Sequence, residues 1–221
     1  MQPEANTTVT GKQFTSNPFI AFAKGLGAGL SNSPVAILGI SALYFVLILA
    51  VFVIGIPFIA ISAFISPILL PFTFVAFVLV GILGTSILSG RGAVSLLGSL
   101  NGKTVSIKEA NEQLPLKYSW NIVGYTILYG LAVGVGFLFF VVPGLILLAR
   151  WGLGLFVIAD ETVGPIDAIK KSWVLTAGNT WNMLGAIFTQ NLILGQSLLL
   201  LGTLSATAHR YFELRGLHAK G

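Results

Sequence analysis

One arginine, Arg150, lies in the stretch PGLILLARWGLGLFVIADE (143–161), and no other charged residue occurs between Asn121 and Asp160. A guanidinium in such company has three roles open to it. It can lock helices together by meeting an amide or a backbone carbonyl. It can snorkel to the outer headgroups along its apolar stem. It can hold an anionic headgroup or solute. The lock is the leading reading, because an arginine at a helix centre costs about 2.5–3.5 kcal/mol on insertion scales and so needs a partner. Its candidate partners are the neutral amides Gln190, Asn191 and Gln196 of the last apolar stretch. Amides that bridge membrane helices contribute about 0.6 kcal/mol each; lining a polar path is their alternative.

Other chemistry is sparse. Asp160 and Glu161 are expected as an exposed acidic pair, able to meet Lys170 or Lys171. A catalytic carboxylate dyad would need a cleft and perturbed pKa values, which no sequence displays. His209 and His218 are the only histidines and stand at no metal-ligand spacing. With no cysteine there is no thiolate, disulfide or Cys-based metal site. GLGAGL (25–30) follows a helix start and not a strand, so it is no nucleotide fingerprint. No P-loop, Gly-x-Ser-x-Gly or His-Glu-x-x-His occurs. The expectation is a protein that is not an enzyme and takes no cofactor or metal.

The elements that carry these residues are set by composition. Hydrophobic residues make up 55% of the 221 positions and charged residues only 9%, with a mean hydropathy of +0.92. A soluble domain carries roughly 25% charged residues, so this chain lacks the polar material to cover a globule in water. Lipid is the remaining solvent, and several stretches reach the ~20 apolar residues that span it. The fold class expected is an all-α polytopic transmembrane bundle with interfacial amphipathic helices. The net charge of +5 is scattered at span ends with no basic patch, which argues against nucleic acid.

Along the chain, residues 1–16 read as a mobile polar tail without a secretory signal. Asn17-Pro18 is an N-cap followed by proline at the first helical position. It opens an interfacial helix over 18–31, with Phe19, Phe22, Ala23, Leu26 and Leu30 on one face and Lys24 off it. Spans follow at about 35–61 and 67–89, the second with Gly81, Gly84, Thr85 and Ser86 for close helix contact. The polar connection 90–118 holds Arg91, Lys103, Lys108 and Lys117, with a capping box at Ser106 and Glu109. Spans at 120–142, where Gly130 and Gly134 have small-xxx-small spacing, and 145–159 pair through a turn at Pro143-Gly144. A second interfacial helix, 165–177, carries Lys170, Lys171 and Trp173, with Asp167 and Lys171 at i,i+4 and Gly178 past its end. A fifth span at 181–208 and a polar tail at 209–221 complete a single membrane domain, 17–208, with a re-entrant hairpin near Gly195-Gln196 as the alternative.

PFIAFAK (18–24) and PIDAIKK (165–171) share Pro, Ala and Lys at one offset, and Asn32 matches Asn179 at the same offset. This suggests a repeated unit, a short helix and then a membrane helix, with 106–118 as a possible third copy. The lysines of 103–117 and 170–171 fall on one side and the hairpin turns carry no charge. The positive-inside rule then places the N-terminus in the cytoplasm of a plasma membrane. Lys24, Lys170, Lys171 and Trp173 are the candidate contacts to anionic lipids, and a second copy or another membrane protein is a possible partner.

The stretch from Pro143 to Trp181 resembles a broad group of prokaryotic polytopic proteins of unassigned role, which includes the membrane domain fused to some bacterial glycerophosphodiester phosphodiesterases. Pro143, Gly144, Arg150, Glu161, Ala168, Lys171, Ser172 and Gly178 occupy the places of that pattern, and YFELR (211–215) looks like its closing tyrosine-acid-leucine stretch. About 40 residues carry the likeness, and many members have six spans. The resemblance implies fold and location. The phosphodiesterase activity of the fused proteins belongs to a separate soluble barrel that nothing in this chain matches.

Overall fold

The structure, a computed structural model, describes residues 17–198 and 200–218; the side chains of residues 116, 190–203 and 217–218 fall outside the described residues. The chain is all-α. Its helices are α1 (Pro18–Asn32), α2 (Pro34–Ile65), α3 (Leu69–Leu100), α4 (Ile107–Gln113), α5 (Leu116–Phe139), α6 (Val141–Trp151), α7 (Gly154–Glu161), α8 (Pro165–Leu175), α9 (Thr180–Leu198) and α10 (Leu200–His218). Four stretches among the described residues are long and apolar enough to cross a bilayer: Pro34–Ile65, Leu69–Leu100, Lys117–Phe139 and Val141–Glu161. It is a multi-pass membrane protein.

Local chemistry starts the short helices where the sequence says it should. Asn17 Oδ1 accepts the Phe19 N–H at 2.9 Å with Pro18 at the first helical position. Ser106 and Glu109 form the full capping box of α4. Gly164-Pro165 opens α8, and Gly178 takes the left-handed φ of +77° that ends the segment. A short helix followed by a two-helix hairpin occurs three times: α1 before α2 and α3, α4 before α5 and α6–α7, α8 before α9 and α10.

The α2–α3 hairpin is the longest element, 32 residues in each arm. Its base is buried, at Ile37 and Ile40 on one arm and Ala93 to Leu97 on the other. From Leu43 to Ile65 the large apolar side chains of α2 are largely exposed. That length is about 35 Å at 1.5 Å per residue, close to the ~30 Å of hydrocarbon in a bilayer. The two arms touch through small groups: a Cβ on Gly84 would lie 2.5 Å from Leu47, one on Gly55 would lie 3.0 Å from Phe77, and the Ser62 and Thr73 hydroxyls are 2.9 Å apart. Gly81, Gly130 and Gly134 meet nothing within 4 Å among the described residues.

Four sequence expectations are corrected. The tight turn sits at Phe140 and not at Pro143-Gly144, which lie in the first turn of α6. Proline is tolerated there because that N–H has no intrahelical acceptor. Gly144 faces Gly136, where an added Cβ would come within 2.9 Å of the Gly144 Cα, so the pair lets α5 and α6 close. The stretch 181–208 is two helices, α9 and α10, packed along each other, not one span. Residues 209–218 continue α10 and are no polar tail: Arg210 and Tyr211 are buried. On α1 the expected apolar face leaves Phe19 and Leu30 exposed, while Ala21, Phe22, Gly25 and Gly29 are buried, with Gly25 packed on the α10 backbone. The second span runs on to Leu100 because its last three turns are packed against α1, α7 and α10. Residues 1–16 lie outside the described residues.

The two ends of the bundle differ. At one end Asn32 Nδ2 donates to the Ser99 carbonyl at 2.8 Å, and the Val105 N–H donates to Ser33 Oγ at 2.8 Å. Arg91 Nε and Nη2 both donate to Asn111 Oδ1, tying α3 to α4. At the other end the turns, Ser66 to Ile68 and Phe140, are flanked by exposed Phe64, Ile65, Leu138 and Phe139.

Candidate functional site

The fourth span is interrupted. Helix α6 stops at Trp151, Gly152 and Leu153 form a turn, and α7 resumes at Gly154. A break inside a membrane frees backbone groups that must find partners, since lipid offers none. Four of them meet side chains of α5 and of the α8 segment. The Tyr129 hydroxyl donates to the Leu148 carbonyl at 3.1 Å and the Tyr125 hydroxyl to the Trp151 carbonyl at 2.6 Å. Ser172 Oγ donates to the Arg150 carbonyl at 2.7 Å and accepts the Leu153 N–H at 3.2 Å; Thr176 Oγ1 adds a second donor to the Arg150 carbonyl. Gly154 leaves the space that the Tyr125 ring occupies, 2.3 Å from where a Cβ would stand.

Arg150 closes this arrangement from its side chain. Its Nη1 donates to the Trp173 carbonyl at 3.1 Å, and the guanidinium carbon lies 4.5 Å from the centre of the Trp173 ring. The carbonyl belongs to the last turn of α8, where the helix dipole favours a cation. Cation–π contact adds about 0.5–2 kcal/mol depending on solvent access. Arg150 stands nine residues into α6, about 14 Å from the turn, and its described partners are all on α8. The side chains of Gln190, Asn191 and Gln196 lie outside the described residues.

A second cluster gathers at the end of α7. Asp160 accepts the Tyr211 hydroxyl on Oδ2 at 2.8 Å and Arg215 Nη1 on Oδ1 at 2.9 Å. Tyr211 and Arg215 are one turn apart on α10, so both reach one carboxylate from one helix face. Burial, first, and then the hydrogen bond and charge of Asp160 push the Tyr211 phenol well up, which keeps it a donor. Glu213 lies on the same helix, 2.9 Å from Arg210 Nη1 and 3.3 Å from His209 Nε2. Burial draws Arg210 down from the usual guanidinium range, and Glu213 opposes the shift. The expected exposed acidic pair is therefore split: Asp160 faces α10, and Glu161 pairs with Lys171 of α8. Lys171 meets Glu161 and not Asp167. The residues Asp160, Tyr211 and Arg215 were not joined by sequence reasoning, although the i,i+4 spacing of Tyr211 and Arg215 was visible.

The lysines offered as lipid contacts are on the surface. Lys24 and Lys170 are exposed, as is Lys171 beside Glu161, and Trp173 is 40% exposed with its other face on Arg150.

Beside the Asp160 cluster is a cleft of about 450 Å³. It lies where the α3–α4 connection, the end of α7 and α10 converge. Leu97 and Val105 form an apolar wall, and Lys103, Gln113, Asp160 and Arg215 supply its polar groups. Among the described residues no group of His, Asp and Glu could hold a metal ion. Comparison with family models, with curated proteins and with solved structures finds no match for this chain.

Proposed function

We propose that the chain is a non-enzymatic, lipid-contacting component of a prokaryotic plasma membrane, a scaffold or assembly factor, with its polar end in the cytoplasm. One observation carries this reading: charge is segregated along the bundle. Lys103, Lys108, Lys117 and Arg215 all emerge at the end where the connections gather, and the opposite turns have apolar tips without a charge. Basic residues near an anionic surface contribute about 1 kcal/mol each. Lys24 and Lys170 are the exposed cations of α1 and α8 with no ion pair among the described residues, and Trp173 is suited to the interface beside them. We also place the chain with the polytopic group that its 143–181 stretch resembles, on the residues Pro143, Gly144, Arg150, Glu161, Ala168, Lys171, Ser172 and Gly178.

The test is lipid selectivity. In nanodiscs of mixed phosphatidylglycerol and phosphatidylcholine, the purified protein should retain the anionic lipid preferentially. The Lys24→Gln, Lys170→Gln double variant should lose roughly tenfold or more of that preference, following about 1 kcal/mol per cation. Equal retention by both proteins sinks the reading. For orientation, external thiol reagents should miss a cysteine at Lys103 or Lys170 in intact cells and reach it after lysis.

The broken fourth span favours one rival, a small transporter or channel subunit whose path passes Arg150, since interrupted helices often line such paths. Solute flux into liposomes that is abolished by Arg150→Ala, with the fold intact, would make that the better reading. A homo-oligomer or a second membrane protein remains compatible with both.

A further inference from the structure

The cleft at the base of the bundle has a built floor and an excess of positive charge. The segment that enters it is fixed by its backbone. Gly102 takes φ +72°, the Lys103 N–H donates to the Gly98 carbonyl at 2.9 Å, and Asn101 Nδ2 donates to the Leu97 carbonyl at 2.8 Å. Left-handed φ at Gly102 costs nothing without a Cβ, and it turns the chain so that Lys103 stands at the rim. Gly98 lies under Val105, where a Cβ would come within 2.2 Å of the valine methyl, so the wall and floor are in tight contact.

The charges do not cancel. Among the described residues Asp160 is the one carboxylate lining the cleft, and it already holds the Tyr211 hydroxyl and Arg215. Arg215 meets it through Nη1, with the side chain 54% exposed, and itself lines the cleft. Lys103 has no ion pair among the described residues. A guanidinium and an ammonium on one cleft, against one carboxylate already engaged by the guanidinium, form a donor-rich surface with a net positive charge among the described residues. Such a surface suits an acceptor-only anion, and arginine in particular matches the oxygens of phosphate. The volume exceeds that of a bare phosphate, and Leu97 and Val105 offer an apolar wall to whatever carbon skeleton the phosphate bears.

We propose that this cleft binds a phosphate-bearing anion, with Lys103 and Arg215 as its donors. The phosphate comes either from a lipid headgroup at the membrane surface or from a soluble phosphate ester. The headgroup source rests on the lipid-contacting reading above; the soluble source does not.

The experiment uses the full chain and two probes. In phosphate-free detergent micelles, inorganic phosphate is titrated and followed by the protein's thermal midpoint. In nanodiscs, phosphatidylglycerol is compared with phosphatidylcholine by native mass spectrometry. Lys103→Gln should weaken binding of the responsive probe at least fivefold, and Lys103→Arg should retain it. Lys103 is exposed and in no ion pair among the described residues, so both variants should fold. A response to inorganic phosphate assigns a soluble anion, and a response to phosphatidylglycerol alone assigns a headgroup. Lys24→Gln, Lys170→Gln leaves the Lys103-dependent binding intact, so the two readings fail separately. Binding of neither probe, or binding indifferent to Lys103→Gln, overturns the proposal.

Discussion

Tyr211 and Asp160 are 51 residues apart in sequence and 2.8 Å apart in space, with the phenol donating to Oδ2. That bond, with Arg215 Nη1 2.9 Å from both oxygens of the same carboxylate, fixes α10 to the end of α7. Tyr211→Phe removes one hydrogen bond and leaves the ion pair, at about 1–2 kcal/mol. Asp160→Ala strands both partners and costs more, about 2–3 kcal/mol, because Arg215 is half exposed and water replaces part of what it loses. Thermal unfolding in micelles should rank the variants in that order. The raised Tyr211 pKa adds a sign: its contribution is full below the ordinary tyrosine range and is lost only as pH climbs through the higher folded value.

Arg150 is a joint between α6 and α8. Arg150→Ala should lower stability by about 1–2 kcal/mol through loss of the Trp173 carbonyl bond and the ring contact. Arg150→Lys should recover less than half, since an ammonium lacks the planar face that lies over the ring. Trp173 fluorescence reports the change directly: its emission should shift in the alanine variant and move part of the way back with lysine.

At Gly25 an added Cβ would lie 2.1 Å from the Ser205 carbonyl oxygen, a backbone atom with no rotamer to yield. Gly25→Ala should separate α1 from α10 and cost about 1–3 kcal/mol. Gly27, two residues on, meets nothing within 4 Å. Gly27→Ala should therefore be neutral or stabilising by up to about 1 kcal/mol through helix propensity. Limited proteolysis at the α1–α2 junction separates the two cases.

Glu109 closes the α4 capping box, and the hydrogen bonds of Ser106, backbone first, hold its carboxyl below the usual carboxylate range. A depressed folded pKa means stabilisation that is complete above the ordinary value near 4.5 and disappears as pH falls through the lower folded one. Amide exchange in α4 should accelerate over that acid window. Glu109→Gln, which still accepts the Ser106 N–H, should flatten the pH dependence.

The sequence was most legible where local chemistry decides. Asn17-Pro18, Ser106 with Glu109, Gly164-Pro165 and Gly178 each mark a helix boundary by a backbone requirement that a single residue meets. The long spans were legible from composition. It was less informative where a uniformly apolar helix must choose a face: Gly130 and Gly134 have contact spacing but meet nothing among the described residues, whereas Gly136 and Gly144 hold a turn together. Pro143-Gly144 misplaced that turn, because proline is as welcome in a first helical turn as in a loop. The Asp160, Tyr211 and Arg215 cluster was hidden for another reason. Its members meet only once α7 and α10 have packed, and α10 looked like the polar end of a span until its charges had somewhere to go.

The charge-free tips of the two hairpins bear on how the chain enters the bilayer during synthesis. Segments that must pass through the hydrocarbon are short turns, Ser66 to Ile68 and Phe140, bordered by Phe64, Ile65, Leu138 and Phe139. The turns carry no ion, so the first hairpin can insert as a closed pair whose backbone bonds are already made, whereas the second carries Arg150 into the hydrocarbon and meets it with the Trp173 carbonyl. Lys103, Lys108 and Lys117 lie at the opposite end of the bundle from these turns. The first pair, 32 residues to an arm, then offers the later helices a finished wall on which to dock.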